Sequence, residues 1–225
     1  MLVHERRGYR TWTEADITAF RKKWPVGAPV RLAFEILLYT GLRRADAVRL
    51  GWCHIVDDDI VITTSQSRHS TELHIPIHAE LRAVLKGIPR DAETFVTTIA
   101  GEARTAKGFT SWICQAAHDA GLPSNSSPHG LRKAICRRLA DADCDALTIM
   151  SITGHKNLAE VMPYIEARDR RRRARAGIAA LAVDKSVKSA NLPERFAHSE
   201  PKPLLSQAIF REMARPTGVE PVFSA

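Results

Sequence analysis

The sequence predicts a mainly α fold of the α+β kind: a helical domain carrying one small antiparallel β-sheet. Helical periodicity dominates residues 15–24 and returns repeatedly between residues 79 and 182. Between residues 52 and 76 the period falls to two, as in a half-buried sheet. The 225 residues, 44% of them hydrophobic, suit one globular domain with appendages. No repeat of roughly 20 to 50 residues divides them.

Thr11-Trp12-Thr13-Glu14 has the pattern of a capping box, so a first helix is expected to begin near residue 12 and to stop at Pro25. Residues 30–40 are almost continuously apolar, which predicts a helix buried on most sides, with Gly41 as its C-terminal stop. A short helix is expected over residues 44–50. Ile60-Val61-Ile62-Thr63-Thr64 and Leu73-His74-Ile75-Pro76 then bracket a polar hairpin tip at residues 65–71. Further helices are expected over residues 79–85, 106–120, 128–140, 146–152 and 165–182, separated by Gly, Pro and Ser clusters. Pro163 is expected to push Met162 out of helical geometry, so that Tyr164 starts a new helix.

Charge is uneven along the chain. Lys and Arg number 33 against 25 Asp and Glu, a net charge of +8. Residues 183–225 hold five of the twelve prolines and six basic against five acidic residues, so +7 of the +8 belongs to residues 1–182. That tail reads as a loosely packed extension with a short helix over residues 204–213. A basic folded part points to a polyanionic partner, since Lys and Arg neutralise phosphates and release counterions. The longest apolar stretch, residues 32–39, is interrupted by Glu35 and falls short of the roughly 20 residues of a membrane span. The charged N-terminus lacks a signal core, which places the chain by expectation in a cytoplasm, of bacterial or phage-derived origin, associated with the nucleoid. Cys53, Cys114, Cys136 and Cys144 lack C-x-x-C spacing and are expected to be buried reduced thiols.

Four short motifs carry chemistry. Ser127-Pro128-His129-Gly130-Leu131-Arg132-Lys133 opens a helix with a capping serine and a proline, which sets His129 and Arg132 one turn apart on one face. Free backbone N–H groups, an imidazole and a guanidinium converging there suit a phosphate oxygen. Thr40-Gly41-Leu42-Arg43 ends the buried helix, from which Arg43 can be held rigidly, with Asp46 three residues on to fix its guanidinium. Thr153-Gly154-His155 sets a second histidine on a glycine turn, and Tyr164 follows nine residues later. Each has a plain structural explanation when taken singly: a capping arginine, a surface His and Arg sharing a turn, a loop histidine, a surface tyrosine.

In this order and at these spacings, Thr-Gly-Leu-Arg, His-x-x-Arg, Gly-His and the tyrosine at +9 resemble the tyrosine recombinase, or phage integrase, family. The resemblance covers residues 11–182 and implies a catalytic domain of the DNA breaking and rejoining type, with residues 1–10 the remnant of a linker to an N-terminal clamp domain. It implies that Arg43 and Arg132 clamp a phosphate, that His129 and His155 serve in the site, and that Tyr164 is the nucleophile. Tyr164 would attack a DNA phosphodiester, forming a 3′-phosphotyrosyl bond and expelling a 5′-hydroxyl, with neither metal nor cofactor. The two arginines would stabilise the transition-state charge, as a metal does in many nucleases.

The family's hairpin lysine, a general acid, corresponds to Arg68, whose guanidinium releases a proton poorly, so slowed cleavage is expected. His69 beside it is a substitute acid of suitable pKa. Arg44, Lys133 and Lys156 flank the motifs and, with Arg170, Arg171, Arg172 and Arg173, are expected to contact DNA. The implied function is site-specific recombination or integration of double-stranded DNA, attenuated or truncated, with self-association into a tetrameric synapse. Two alternatives stand beside it: a non-catalytic DNA-binding remnant using residues 145–165 as a helix-turn-helix, and a type IB topoisomerase.

Overall fold

The fold was analysed in a computed structural model that describes residues 9–65 and 70–190, with side chains through residue 181. Among the described residues there are eight α-helices and a three-stranded antiparallel sheet. The chain divides into two units between Ala176 and Gly177. The first holds the core.

Helix α1 (Glu14–Lys23) begins two residues later than expected. Thr13, not Thr11, is its N-cap, in a capping box with Asp16. Trp12 cannot join the helix because it is held on the chain's far side: fully buried, it donates from its backbone N–H to the Gly130 carbonyl and from its ring to Ser127 O at 3.1 Å. Helix α2 (Pro29–Thr40) matches its expected span and is the spine of the core, packing against α4 (Ala79–Leu85), α5 (Ala106–Asp119) and α6 (Pro128–Asp141). Phe34 on α2 stacks on Phe20 of α1 at 4.4 Å, with Trp12 against both. One carboxylate is buried in this apolar helix: Glu35, fully inaccessible, accepts from Arg21 at 2.9 Å and from Arg31 at 2.5 Å.

Helix α3 (Arg44–Ala47) is shorter than expected. Leu50 is pinned by a 2.7 Å bond from Phe95 N–H, and a Cβ on Gly51 would meet Glu93 O at 2.0 Å, so the chain must run extended there. The sheet runs β1 (Ile55–Val56), β2 (Asp59–Thr63), β3 (Glu72–Pro76), with Ile60 opposite Ile75 and Ile62 opposite Leu73. Those four are buried and their neighbours face out, the alternation that period two predicts.

Helix α7 (Ala146–Thr153) follows α6, and α8 (Leu158–Ala190) begins seven residues before its expected start. Pro163 lies inside α8, and Met162 and Tyr164 stay helical. A proline this near the N-terminus forfeits one hydrogen bond, and the burial of Val161 beside Tyr164 and Ile165 against α6 and α7 offsets it. The four cysteines are unpaired, but only Cys136 is buried; Cys53, in the exposed 3-10 turn Trp52–His54, contradicts the expectation of buried thiols. The expected tail helix over residues 204–213 lies outside the described residues, as does most of the tail. No helix among the described residues is long and apolar enough to cross a membrane.

Candidate nucleic-acid interface

Three helix ends build one cleft. At the end of α2, Thr40 donates to Ile36 O and accepts from Leu42 N–H, turning the chain, and Gly41 takes a left-handed φ of 61°. A Cβ there would also come within 2.9 Å of Ile135 and Thr153, so glycine serves both the turn and the close approach of α6 and α7. Arg43 follows as the half-buried residue ahead of α3. At the start of α6, Ser127 caps Gly130 N–H, and the strand-like segment carrying Arg10 and Trp12 crosses so tightly that a Cβ on Gly130 would meet Arg10 O at 2.2 Å. At the end of α7, Gly154 is left-handed at φ 69° and presents His155.

The cleft, of about 320 Å³, is lined by Arg43, Arg44, His129, Arg132 and His155, together with Tyr9, Thr110, Ser127 and Glu160. Five of the expected site residues are thus brought together, four of the expected catalytic set and the expected DNA-contacting Arg44. Arg132 is only 4% exposed. Its Nη1 donates to the carbonyls of Gly41 and Thr153, tying α6 to the ends of α2 and α7. Its Nη2 is buried with no hydrogen-bond partner. Burial, then the nearby Arg43, pulls its pKa down to about 10.

His129 sits at the rim with its ring 4.7 Å from that of Tyr9, and desolvation followed by Lys133, Arg132 and Arg43 holds its pKa below the ordinary histidine value. His155 is half-buried, with Nδ1 2.7 Å from Thr153 Oγ1. Burial, followed by Arg132, Arg43 and His129, pushes its pKa down to about 3, so both imidazoles are neutral at pH 7.

Tyr164 is not among the residues lining the cleft. It packs on the small apolar cluster of Cys136, Ala140, Ile149 and Val161, where burial and then Cys136 raise its pKa to about 12. Asp46 does not hold Arg43, as the three-residue spacing suggested. Its Oδ1 accepts from the backbone N–H of Ser65 at 2.8 Å and from Arg49, so the carboxylate anchors the root of the β2–β3 hairpin and acts on Arg132 through space. The reason is orientation: the two residues flank the first turn of α3, and Asp46 faces the core with full burial. Arg68 and His69, which fall between β2 and β3 in the sequence, lie outside the described residues.

Among the expected DNA-contacting residues, exposed Arg44 donates to Thr110 Oγ1, and Lys133 donates to Tyr9 O at 2.8 Å. Lys156 is exposed beside His155. All four arginines of the run on α8 are exposed, and two of them, Arg171 and Arg172, also pair with Asp141 and Asp143 near the end of α6. Tyr9 and Glu160 belong to the cleft without having been expected there. Tyr9 lies in a segment that reads as linker, and Glu160 precedes the helix expected from residue 165, so neither carries a motif that marks it. Among the described residues, no group of His, Cys, Asp or Glu converges as metal ligands would.

A helical domain with a three-stranded sheet, gathering two arginines and two histidines from three helix ends into one cleft, has the fold of a tyrosine recombinase catalytic domain. The model of the Phage integrase family matches residues 13–171, and the chain belongs to that family. The structure is similar to the 75–356 fragment of lambda integrase, solved as a dimer bound to a COC′ core site, with a TM-score of 0.59 and 20% identity over 73% of this chain and 62% of that one. It is also similar to the Tn1549 transposon integrase in complex with transposon right-end DNA, with a TM-score of 0.62 and 19% identity over 77% of this chain and 68% of that one. A third similar structure is XerA recombinase, with a TM-score of 0.60 and 15% identity over 78% of this chain and 66% of that one. The chain spans 62% and 47% of the first two lambda integrase chains it matches. No curated protein matches it by sequence.

Proposed function

We propose that the chain binds double-stranded DNA and carries out site-specific recombination, cutting and rejoining strands through a 3′-phosphotyrosyl bond to Tyr164. The observation that carries this reading is the buried Arg132 guanidinium, whose unpartnered Nη2 belongs to the same cleft as Arg43. A buried cation with an unused donor is costly unless an anion completes it. Neighbouring N–H groups at the start of α6 favour the same charge.

In the proposed reaction, Arg43 and Arg132 hold the two non-bridging phosphate oxygens and stabilise their charge as the pentavalent transition state forms. The Tyr164 oxygen bonds to phosphorus while the bond to the 5′-oxygen breaks. Neutral His129 accepts the phenol proton, and the hairpin tip with Arg68 and His69 supplies one to the leaving oxygen. Rejoining by a 5′-hydroxyl reverses each transfer, so no external energy source is consumed. Tyr164 must first leave its apolar cluster, because it does not line the cleft at rest. Exposed Arg44, Lys156, Arg170 and Arg173 are suited to tracking the phosphate backbone. Self-association on DNA, cytoplasmic residence and contact with nucleoid DNA belong to the same proposal.

The withdrawn tyrosine favours a second reading, a DNA-binding domain without cleavage, in which α7, the turn at 154–157 and the start of α8 form a helix-turn-helix. A nicked suicide duplex separates the two. The first reading expects a covalent protein–DNA adduct that disappears in Tyr164→Phe. Tight binding with no adduct establishes the second instead.

A further inference from the structure

The cleft contains a carboxylate that opposes an anion. Glu160 lines it, with Oε2 3.8 Å from His155 Nε2. Helix capping does not account for it. Glu160 is the third residue of α8, the position from which a capping-box carboxylate turns back to the N-cap N–H. Among the described residues that bond is not made, and Asn157 caps the helix through its own Oδ1, 2.9 Å from Ala159 N.

The hydrogen bonds around His155 determine what its second nitrogen can do. Thr153 has a single hydroxyl proton. Its Oγ1 lies 2.6 Å from the Ile149 carbonyl oxygen and 2.7 Å from His155 Nδ1. A carbonyl only accepts, and two oxygens at 2.6 Å with no proton between them repel, so the proton lies toward Ile149. Nδ1 therefore carries a hydrogen and donates to Thr153. In the neutral ring Nε2 is then a bare lone pair, which repels a phosphate oxygen instead of binding it.

We propose that entry of a DNA phosphate into the cleft loads a proton onto His155 Nε2, converting it from acceptor to donor, and that Glu160 is the positioning residue stabilising the imidazolium. The inference rests on the reading of the cleft as a phosphate site. The proton comes from solvent, bonds to Nε2 and is shared with a phosphate oxygen, and no other bond changes. Several charged groups face the ring. Arg132 and His129 come from α6, Arg43 from the turn before α3 and Glu160 from α8, while β3 contributes apolar Leu73 against Gly154. Burial, and after it the cations, keep the ring neutral in this structure, with its pKa near 3. A phosphate adds negative charge on the side where Glu160 already stands, and the two together reverse the balance.

The complex then holds one proton more than its separated components, so lower pH favours binding. Affinity falls as pH rises between the ring's value in the free protein and its value in the complex, approaching tenfold per pH unit, about one proton per phosphate site. The test is duplex binding by fluorescence anisotropy from about pH 5 to 8 at constant ionic strength, with calorimetry in two buffers of different ionisation enthalpy to count protons. Wild type is expected to take up close to one proton. His155→Gln, whose amide N–H does not titrate, is expected to bind without that slope. Glu160→Gln is expected to keep binding with its slope displaced to lower pH, and His129→Gln to retain the slope. Absence of proton uptake by wild type, persistence of the slope in His155→Gln, or its loss in His129→Gln overturns the inference while leaving the DNA reading intact. No binding by any form at any pH overturns both.

Discussion

Replacing Arg132 with methionine is expected to weaken phosphate recognition while changing folding stability by no more than about 3 kcal/mol, because two large effects oppose each other. The guanidinium is pulled from its ordinary 12.5 down to about 10. Each pH unit of that fall is worth about 1.4 kcal/mol, so the charged form carries about 3 kcal/mol of penalty in the folded state. A base with a lowered folded value binds its proton less well folded than unfolded. The penalty is therefore fully present below pH 10 and is relieved only as pH rises through the range from about 10 to 12.5. Methionine removes it, along with the unpartnered Nη2. Against this, the carbonyls of Gly41 and Thr153 lose their shared donor, at about 1 to 3 kcal/mol each. The two totals nearly cancel. Urea unfolding measures the stability and anisotropy on a nicked duplex measures binding, where at least about a tenfold loss is expected from one charge-assisted contact. Destabilisation beyond about 4 kcal/mol would show that Arg132 is chiefly a structural pin, and undiminished affinity would refute the assignment of the cleft to phosphate.

Two further outcomes follow from buried groups elsewhere. The absorbance change of phenol ionisation, taken as wild type minus Tyr164→Phe, is expected to have its midpoint near 12, and a midpoint at or below 10 would contradict the packing of Tyr164 on Cys136 and Val161. Glu35→Leu, which strands Arg31 and Arg21 without their shared carboxylate, is expected to lower unfolding free energy by about 3 to 5 kcal/mol in urea titration. A loss below about 1 kcal/mol would mean that the arginines find other partners on the Trp24 carbonyl and in solvent.

Local pattern made most elements legible. Residues 29–40 form a helix because their apolar run is too long for a strand and ends on glycine, and the four inward residues of β2 and β3 follow from period two. Errors arose where distant contacts overrule local preference. Trp12 would suit a helix start but is held against α6, and Pro163 reads as a break but sits in a helix secured by Val161. Asp46 lies at the right spacing for Arg43 yet serves the hairpin, since spacing specifies a face only approximately and says nothing about which neighbour that face meets.

The sequence by itself determined that this chain is a phage integrase family domain and which residues to weigh as its site, because motif order and local spacing survive in one dimension. Tertiary structure alone decided that Arg43, His129, Arg132 and His155 share a cleft while Tyr164 lies outside it, and that Tyr9 and Glu160 belong there too. The setting of His155 belongs to the same category: a threonine hydroxyl within reach of both its ring and a carbonyl one helical turn earlier, and burial beside charges from α6 and the turn before α3, neither of which leaves a mark in the order of the residues.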